Sequence, residues 1–344
     1  MLTSRILLGM SVMTCIGASA MSHRASAQTV ELDQYAGKTI SLILGYPPGG
    51  ANDVFARLVT RHFGGFIPGS PRLVLQHMPG AGSATAANHV FNVAPRDGSV
   101  LALLVPTLPL EERMGAPQVK FKSKEFTWIG RLAPAPNVTF IWHTSNVKSY
   151  ADALKFESTL GATGRSASNA IYPSVTNKLL GTRFKMVMGY QGSAAAMLAM
   201  ERGEVDGHSP TLDTLTTLHP DWITEGKVNI VLQYLDKRHR DLPGVPTAVE
   251  VAKSEEERQV MSFAVSPGDI GKYILSTPGL RPDVTVLLRD SFVKMVADSQ
   301  FQADAAKQRV GLDPLPGAQL EKIVHAVIDA PDDVVSKLKA AYPN

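Results

Sequence analysis

The 344-residue sequence contains one cysteine, Cys15, so no disulfide, cysteine-rich metal site or dithiol redox pair can form within it. The spacings of common hydrolytic chemistry are missing too. There is no Gly-x-Ser-x-Gly elbow and no His-Glu-x-x-His pair, and the nine histidines are dispersed. His143, His208 and His219 read as satisfied core or surface residues rather than ligands. No catalytic residue, metal site or cofactor site is therefore expected. No apolar run approaches the ~20 residues that a membrane-spanning helix needs. Strong charge of one sign is absent: the formal charge is +3, and it falls to +1 once Arg5 and Arg24 of the first 27 residues are set aside. The only dense basic run, Lys237-Arg238-His239-Arg240, is short and has no interleaved aromatics, so it reads as a solvated loop and not as a nucleic-acid surface.

What is present is an ordinary globular composition, 44% hydrophobic and 19% charged, long enough for two domains. The first residues have the layout of a secretory signal peptide: Arg5, an apolar stretch from Ile6 to Ile16, and Ala-Ser-Ala triplets ending at Ala20 and Ala27, after either of which cleavage would fall. Cys15 lies inside this leader, and Met13 and Thr14 before it are too bulky for a good lipid-attachment site. The mature chain is expected to be exported, periplasmic and soluble.

Beyond the leader, strands alternate with helices across short Gly-rich turns. Thr39–Leu44 reads as a strand closed by the turn Tyr46-Pro47-Pro48-Gly49-Gly50, with a helix from Asp53 to Phe63. A second strand over 72–76, the turn Pro79-Gly80-Ala81-Gly82, a helix over 83–93 and a strand over 99–105 complete a β-α-β-α-β run. The pattern restarts at Thr139–Trp142. It continues through a helix over 150–157, a strand near Leu160, the polar turn 161–168, a helix over 169–180, a strand over 185–188, a helix over 194–201 and a strand over 228–234. Ala133-Pro134-Ala135-Pro136 and Leu242-Pro243-Gly244-Val245-Pro246 flank this second unit and look like crossings between lobes. The expected fold is α/β, with two lobes, each a mostly parallel sheet flanked by helices, joined by two crossings: 28–135 plus 248–344 in one lobe, 136–247 in the other. Such a cleft can close by hinge motion.

The first turn is the sharpest chemical signal. Glycines let backbone N–H groups approach a ligand closely, and the N-terminus of the next helix favours negative charge. Gly49 and Gly50, with Tyr46 and Pro48 beside them, would form half of a carboxylate cradle or, equally, a tight strand-to-helix turn that holds no ligand, and Asn52 can cap the helix that follows. Asp53 would repel a carboxylate, so its part is to shape the loop. Gly164, Arg165, Ser166, Ala167, Ser168 and Asn169 repeat the device, with Arg165 as a candidate clamp, although a capping loop with a solvated arginine is its plainer reading. Three charge-assisted bonds at about 1.5–3 kcal/mol each barely match an association cost of roughly 4–15 kcal/mol, so both turns would be needed. Gly80-Ala81-Gly82-Ser83-Ala84-Thr85 imitates a dinucleotide fingerprint, but Thr85 occupies its third small-residue position.

Four segments in register resemble the Bordetella uptake gene family, the TctC-like solute-binding components of tripartite tricarboxylate transporters. They are Tyr46-Pro47-Pro48-Gly49-Gly50 with Asp53 and Ala56-Arg57; Pro79-Gly80-Ala81-Gly82 followed by Ala94-Pro95-Arg96-Asp97-Gly98; Gly189-Tyr190-Gln191-Gly192-Ser193; and Leu242-Pro243-Gly244-Val245-Pro246-Thr247 with Glu250. The resemblance implies a two-lobed periplasmic-binding-protein fold that holds a carboxylate between corresponding turns, largely through backbone amides. It adds Thr107 after the third strand, and Tyr190 and Asp206 at the cleft border. The implied partners are a small organic acid and membrane transporter subunits of the TctA/TctB kind, with the receptor itself a monomer. Two departures stand out: Ile171-Tyr172 replaces a common His, and Val205-Asp206-Gly207-His208 is unusual beyond Val-Asp. A binding protein without catalysis is the expectation, and a secreted α/β enzyme acting on a carboxylated substrate is the alternative.

Overall fold

Why the two halves of this chain face each other follows from where the strands enter and leave two sheets. The computed structural model describes residues 35–164 and 167–342, so the expected leader, Arg165 and Ser166 lie outside the described residues. The strands are β1 (Thr39–Leu44), β2 (Arg72–His77), β3 (Val100–Leu103), β4 (Thr127–Ala133), β5 (Asn137–Trp142), β6 (Ser158–Gly161), β7 (Phe184–Val187), β8 (Gly207–His208), β9 (Val228–Tyr234), β10 (Lys272–Ser276) and β11 (Leu315–Pro316). They form one sheet in the order β11-β4-β10-β3-β1-β2 and another in the order β7-β6-β8-β5-β9.

Both sheets are mixed, whereas the sequence suggested mostly parallel ones. β1 runs parallel to β2 and β3, and β6 to β7 and β8, but β10 is antiparallel to β3 and β4, and β5 to β8 and β9. The crossings dictate this. The chain leaves the first sheet at the end of β4 and returns to the same edge at Lys272, so β10 must run the opposite way. Residues 134–136 lead straight into β5, which therefore runs away from the shared edge. The carboxyl ends of β1–β4 thus face the carboxyl ends of β6–β9 across the crossing.

Each sheet is covered on both sides. In β1, Ile40, Leu42 and Leu44 join one buried cluster with Phe55, Leu58 and Val59 of the helix Ala51–His62, while Ile43 joins another on the opposite face. Each such fully buried aliphatic contributes about 1.5–3 kcal/mol. The tail divides its packing. Helices Pro282–Ala297 and Gly317–Ile328 lie on β4, but Glu255–Val265 and Asp332–Ala341 pack against the helix Ser168–Leu180 of the second unit. Val260, Phe263, Val335 and Leu338 are buried there with Ile171, Tyr172 and Val175, which is why the tail does not return wholly to the first unit. The expected helix over 150–157 is one turn, Tyr150–Ala153, capped by Ser149.

Candidate functional site

The first turn is built from behind by Asp53. Its Oδ2 accepts from the Gly49 N–H at 3.1 Å and from Arg57 Nε at 3.0 Å, and Oδ1 lies 2.8 Å from His77 Nε2. Burial alone would raise this carboxyl, but the Gly49 N–H, Arg57 and His77 outweigh it and hold the group below its ordinary range. Asp53 is therefore turned inward and shapes the loop, as charge repulsion requires. Gly49 adopts φ +89°, a left-handed conformation that suits glycine. The helix Ala51–His62 opens on Gly50 with no side-chain cap, and a Cβ added at Gly50 would meet nothing within 4 Å. First-turn N–H groups and the positive end of the helix dipole thus front open space. Asn52 sits half-buried in that first turn, Pro48 is exposed beside it, and Tyr46 is partly buried at its start. Burial, with the Asp213 carboxylate nearby, pushes the Tyr46 phenol up.

Ser83 joins three strand-end loops and escaped the sequence reading. It is 1% exposed; its hydroxyl donates to the Gly45 carbonyl at 2.8 Å and accepts from the Val105 N–H at 3.3 Å. Residues 80–83 all have positive φ, including Ala81 and Ser83, which lack a glycine's freedom. No sequence rule assigns that backbone to a serine. After β3, the Thr107 hydroxyl donates to Glu111 Oε1 at 3.0 Å, and burial pushes the Glu111 carboxyl up despite that bond.

The second turn follows β6 at the facing edge. Asn169 is buried and closes the turn on Thr163: its Oδ1 accepts from the Thr163 N–H at 3.2 Å, so its side chain shapes the loop rather than pointing outward. The helix Ser168–Leu180 opens on Ala167 without a side-chain cap, and a Cβ at Gly164 would meet nothing within 4 Å. The Ser168 hydroxyl accepts from Asn137 Nδ2 at 3.1 Å. Asn137 also reaches the Ser209 carbonyl at 3.2 Å, and Thr139 links Ser209 Oγ at 3.0 Å with the Tyr234 hydroxyl at 2.8 Å. This buried polar floor was also missed, because Asn137 and Ser209 are distant in sequence and meet only through strand order.

Of the residues expected at the site, the fold places Tyr46, Pro48, Gly49, Gly50, Asn52, Asp53 and Thr107 on one edge of the cleft. Gly164, Ala167, Ser168, Asn169 and Tyr190 lie on the other, where the Tyr190 N–H donates to the Ala162 carbonyl at 3.3 Å. Asp206 is a correction. It precedes β8, at the end of the sheet away from the cleft, and its Oδ2 accepts from the Thr159 N–H at 2.7 Å and the Thr159 hydroxyl at 2.8 Å. Val-Asp at the start of a strand that runs toward the cleft puts the acid on the far edge. Arg165 and Ser166 lie outside the described residues. Among the described residues no cluster of His, Cys, Asp and Glu is placed to hold a metal ion, and no helix is long and apolar enough to cross a membrane.

Residues 69–279 match the model of the tripartite tricarboxylate transporter family receptor, TctC. The UPF0065 protein in the tcbD-tcbE intergenic region of Pseudomonas sp. (strain P51) is 26% identical over 234 residues, covering 66% of this chain and 67% of that one. A TctC solute-binding protein from Polaromonas superposes with a TM-score of 0.64 at 20% identity, over 89% of this chain and 98% of the other. MatC from Rhodopseudomonas palustris, solved with bound malate, gives a TM-score of 0.63 at 19% identity, over 87% and 99% of the two chains. With more than half its length matched by the family model and the same two-lobed α/β fold in its neighbours, the chain belongs to the TctC family of tripartite tricarboxylate transporter receptors.

Proposed function

We propose that the mature chain is an extracytoplasmic solute-binding receptor that captures a small organic carboxylate between the Tyr46–Gly50 turn and the Gly164–Asn169 turn. It hands that acid to membrane subunits of the tripartite tricarboxylate kind. The observation that carries this reading is the pairing of two uncapped helix N-termini, at Gly50 and Ala167, on facing edges of one cleft. The bound malate of the similarly folded R. palustris protein supports the ligand class. In this reading residues 1–27 are removed on export to the periplasm and the receptor acts as a monomer. The lobes divide at 28–135 with 248–344 and at 136–247, with the helices Glu255–Val265 and Asp332–Ala341 leaning across. No catalytic step belongs to the reading: the acid leaves the site unchanged.

The test is a thermal-shift screen of organic acids followed by calorimetry on the best binder. Gly50→Val is expected to abolish binding while leaving the melting temperature of the free protein nearly unchanged, since its side chain would enter open space where the carboxylate sits. Retention of full affinity would refute the cradle, and turnover of the acid would replace the receptor by an enzyme.

A further inference from the structure

Among the described residues one ion pair, buried at its lysine end, spans the cleft. Lys272 opens β10 of the first sheet, its side chain only 4% exposed, and its ammonium lies 2.5 Å from Asp213 Oδ2. Asp213 belongs to the second unit, in the helix Leu212–Leu218 that follows β8. Apart from that ammonium, neither Asp213 carboxylate oxygen has a hydrogen-bond partner among the described residues, although both are buried. The Lys272 ammonium also stands 4.5 Å from the Phe55 ring centroid. Phe55 belongs to the helix that starts at the first turn, and Asp213 is an electrostatic neighbour of Tyr46, the residue that begins that turn. Cradle helix, cleft strand and opposite lobe therefore meet at one pair of charges. A cavity of about 800 Å³ flanks it on the side of the crossings, with Phe55, Arg131 and Lys272 from one unit facing Leu212, Asp213 and Leu235 from the other.

We infer that Lys272 and Asp213 are positioning residues for ligand capture: their pair holds the lobes together without ligand, so that the two turns already face each other when the acid arrives. Parting the lobes would strip each charge of its partner. Asp213 has no second partner among the described residues to take the ammonium's place, so the open state is disfavoured until water replaces the contact. The consequence for binding is arithmetic. Apparent affinity scales with the fraction of protein in the competent state. A change from mostly closed to about one-tenth closed would weaken every ligand about tenfold, whatever its chemistry.

Closure is read without any ligand, so this inference and the carboxylate reading fail separately. The mature chain has no cysteine of its own, so Arg72→Cys and Lys185→Cys place one spin label on an exposed position of each lobe. Pulsed dipolar spectroscopy of the ligand-free protein should give one narrow distance that excess malate leaves unmoved. Asp213→Asn, which keeps the side-chain shape, and Lys272→Met, which keeps the stem, should each add a longer distance while the melting curve stays cooperative. The binder that the thermal-shift screen identifies should then lose about tenfold in affinity, chiefly through faster release. Distances in both variants that match the unsubstituted protein would overturn the inference, as would a broad, long distribution in the unsubstituted ligand-free protein.

Discussion

His208 gives the most quantitative prediction. It ends β8 in the middle of the second sheet, fully buried, with Nδ1 2.7 Å from the Gly161 carbonyl and the Phe140 ring edge-on at 6.2 Å. The carbonyl requires Nδ1 to be the donor, which leaves Nε2 unprotonated and without a partner. Burial in this apolar layer lowers the imidazole to about 4 from 6.5, outweighing the Gly161 bond that favours the charged form. The unfolded chain takes up a proton as pH falls through 6.5, whereas the folded protein resists until about 4. Stability that His208 preserves at neutral pH is therefore lost progressively across that window and falls no further below it. At pH 5, one and a half units below the unfolded value, the loss is about 2 kcal/mol at 1.36 kcal/mol per unit. Urea unfolding of the wild type and of His208→Leu at pH 7 and pH 5 isolates this contribution, because the other titrating groups are common to both. The wild type should lose about 2 kcal/mol more than the variant between the two pH values. Equal losses, or an imidazole resonance titrating near 6.5 in the folded protein, would refute the assignment of a neutral core histidine.

Other perturbations test the loop scaffold. Gly45→Ala would place a Cβ 2.3 Å from Ser83 Oγ, and should destabilise by about 1–3 kcal/mol in urea. Combining it with Ser83→Gly should recover much of that loss. Asp53→Ala removes the acceptor for Gly49, Arg57 and His77; it should cost about 1–3 kcal/mol and weaken all acids equally by calorimetry. Because its folded pKa is depressed, the Asp53 contribution is present above about 3.8 and disappears only as pH falls through its lowered folded value, a window more acidic than that of His208. Tyr190→Phe, at the cleft border, should reorder the ranking of acids in a thermal-shift panel without changing stability by more than about 0.5 kcal/mol.

How much could be read from residues alone depends on the distance over which each feature is determined. β1 and the following helix were legible because β-branched apolar residues, the Pro47-Pro48-Gly49-Gly50 punctuation and the apolar face after it all act within a few positions. The inward role of Asp53 was legible for the same reason: it is four residues from Gly49, and like charge excludes it from an anion's contact. Antiparallel β10 was not, because its direction depends on the chain returning through a crossing more than a hundred residues after leaving. The same holds for Asn137 and Ser209, which meet through the pairing of β5 with β8. Asp206 was misplaced because similarity of a Val-Asp dipeptide does not say which end of a two-residue strand faces the cleft. Ser83 is a different failure, since a serine at φ +68° contradicts local preference and is held there by its bonds to Gly45 and Val105.

These pieces share one physical logic. Side chains near the two turns are largely committed to the protein itself: Asp53 to Gly49, Arg57 and His77, Asn169 to Thr163, Ser83 to Gly45, and Thr107 to Glu111. In the proposed reading the acid is met chiefly by backbone at the start of two helices, and a backbone N–H recognises negative charge without distinguishing one acid from another. A scaffold so arranged can keep its anion-holding geometry through wide sequence divergence, because only the supporting bonds and the glycines constrain it. This chain also departs from the family pattern beneath the second turn, at Ile171-Tyr172, both of them buried. Tyr172 stacks on Tyr234 with ring centroids 4.8 Å apart, and Tyr234 joins the polar floor beneath Ser168 through Thr139. A histidine at that position would bring a titratable group toward the floor; Tyr172 instead brings a phenol pushed up by burial and uncharged throughout the physiological range. Tyr172 is buried among the tail helices, so this departure changes the support beneath the second turn and not a surface that meets the acid.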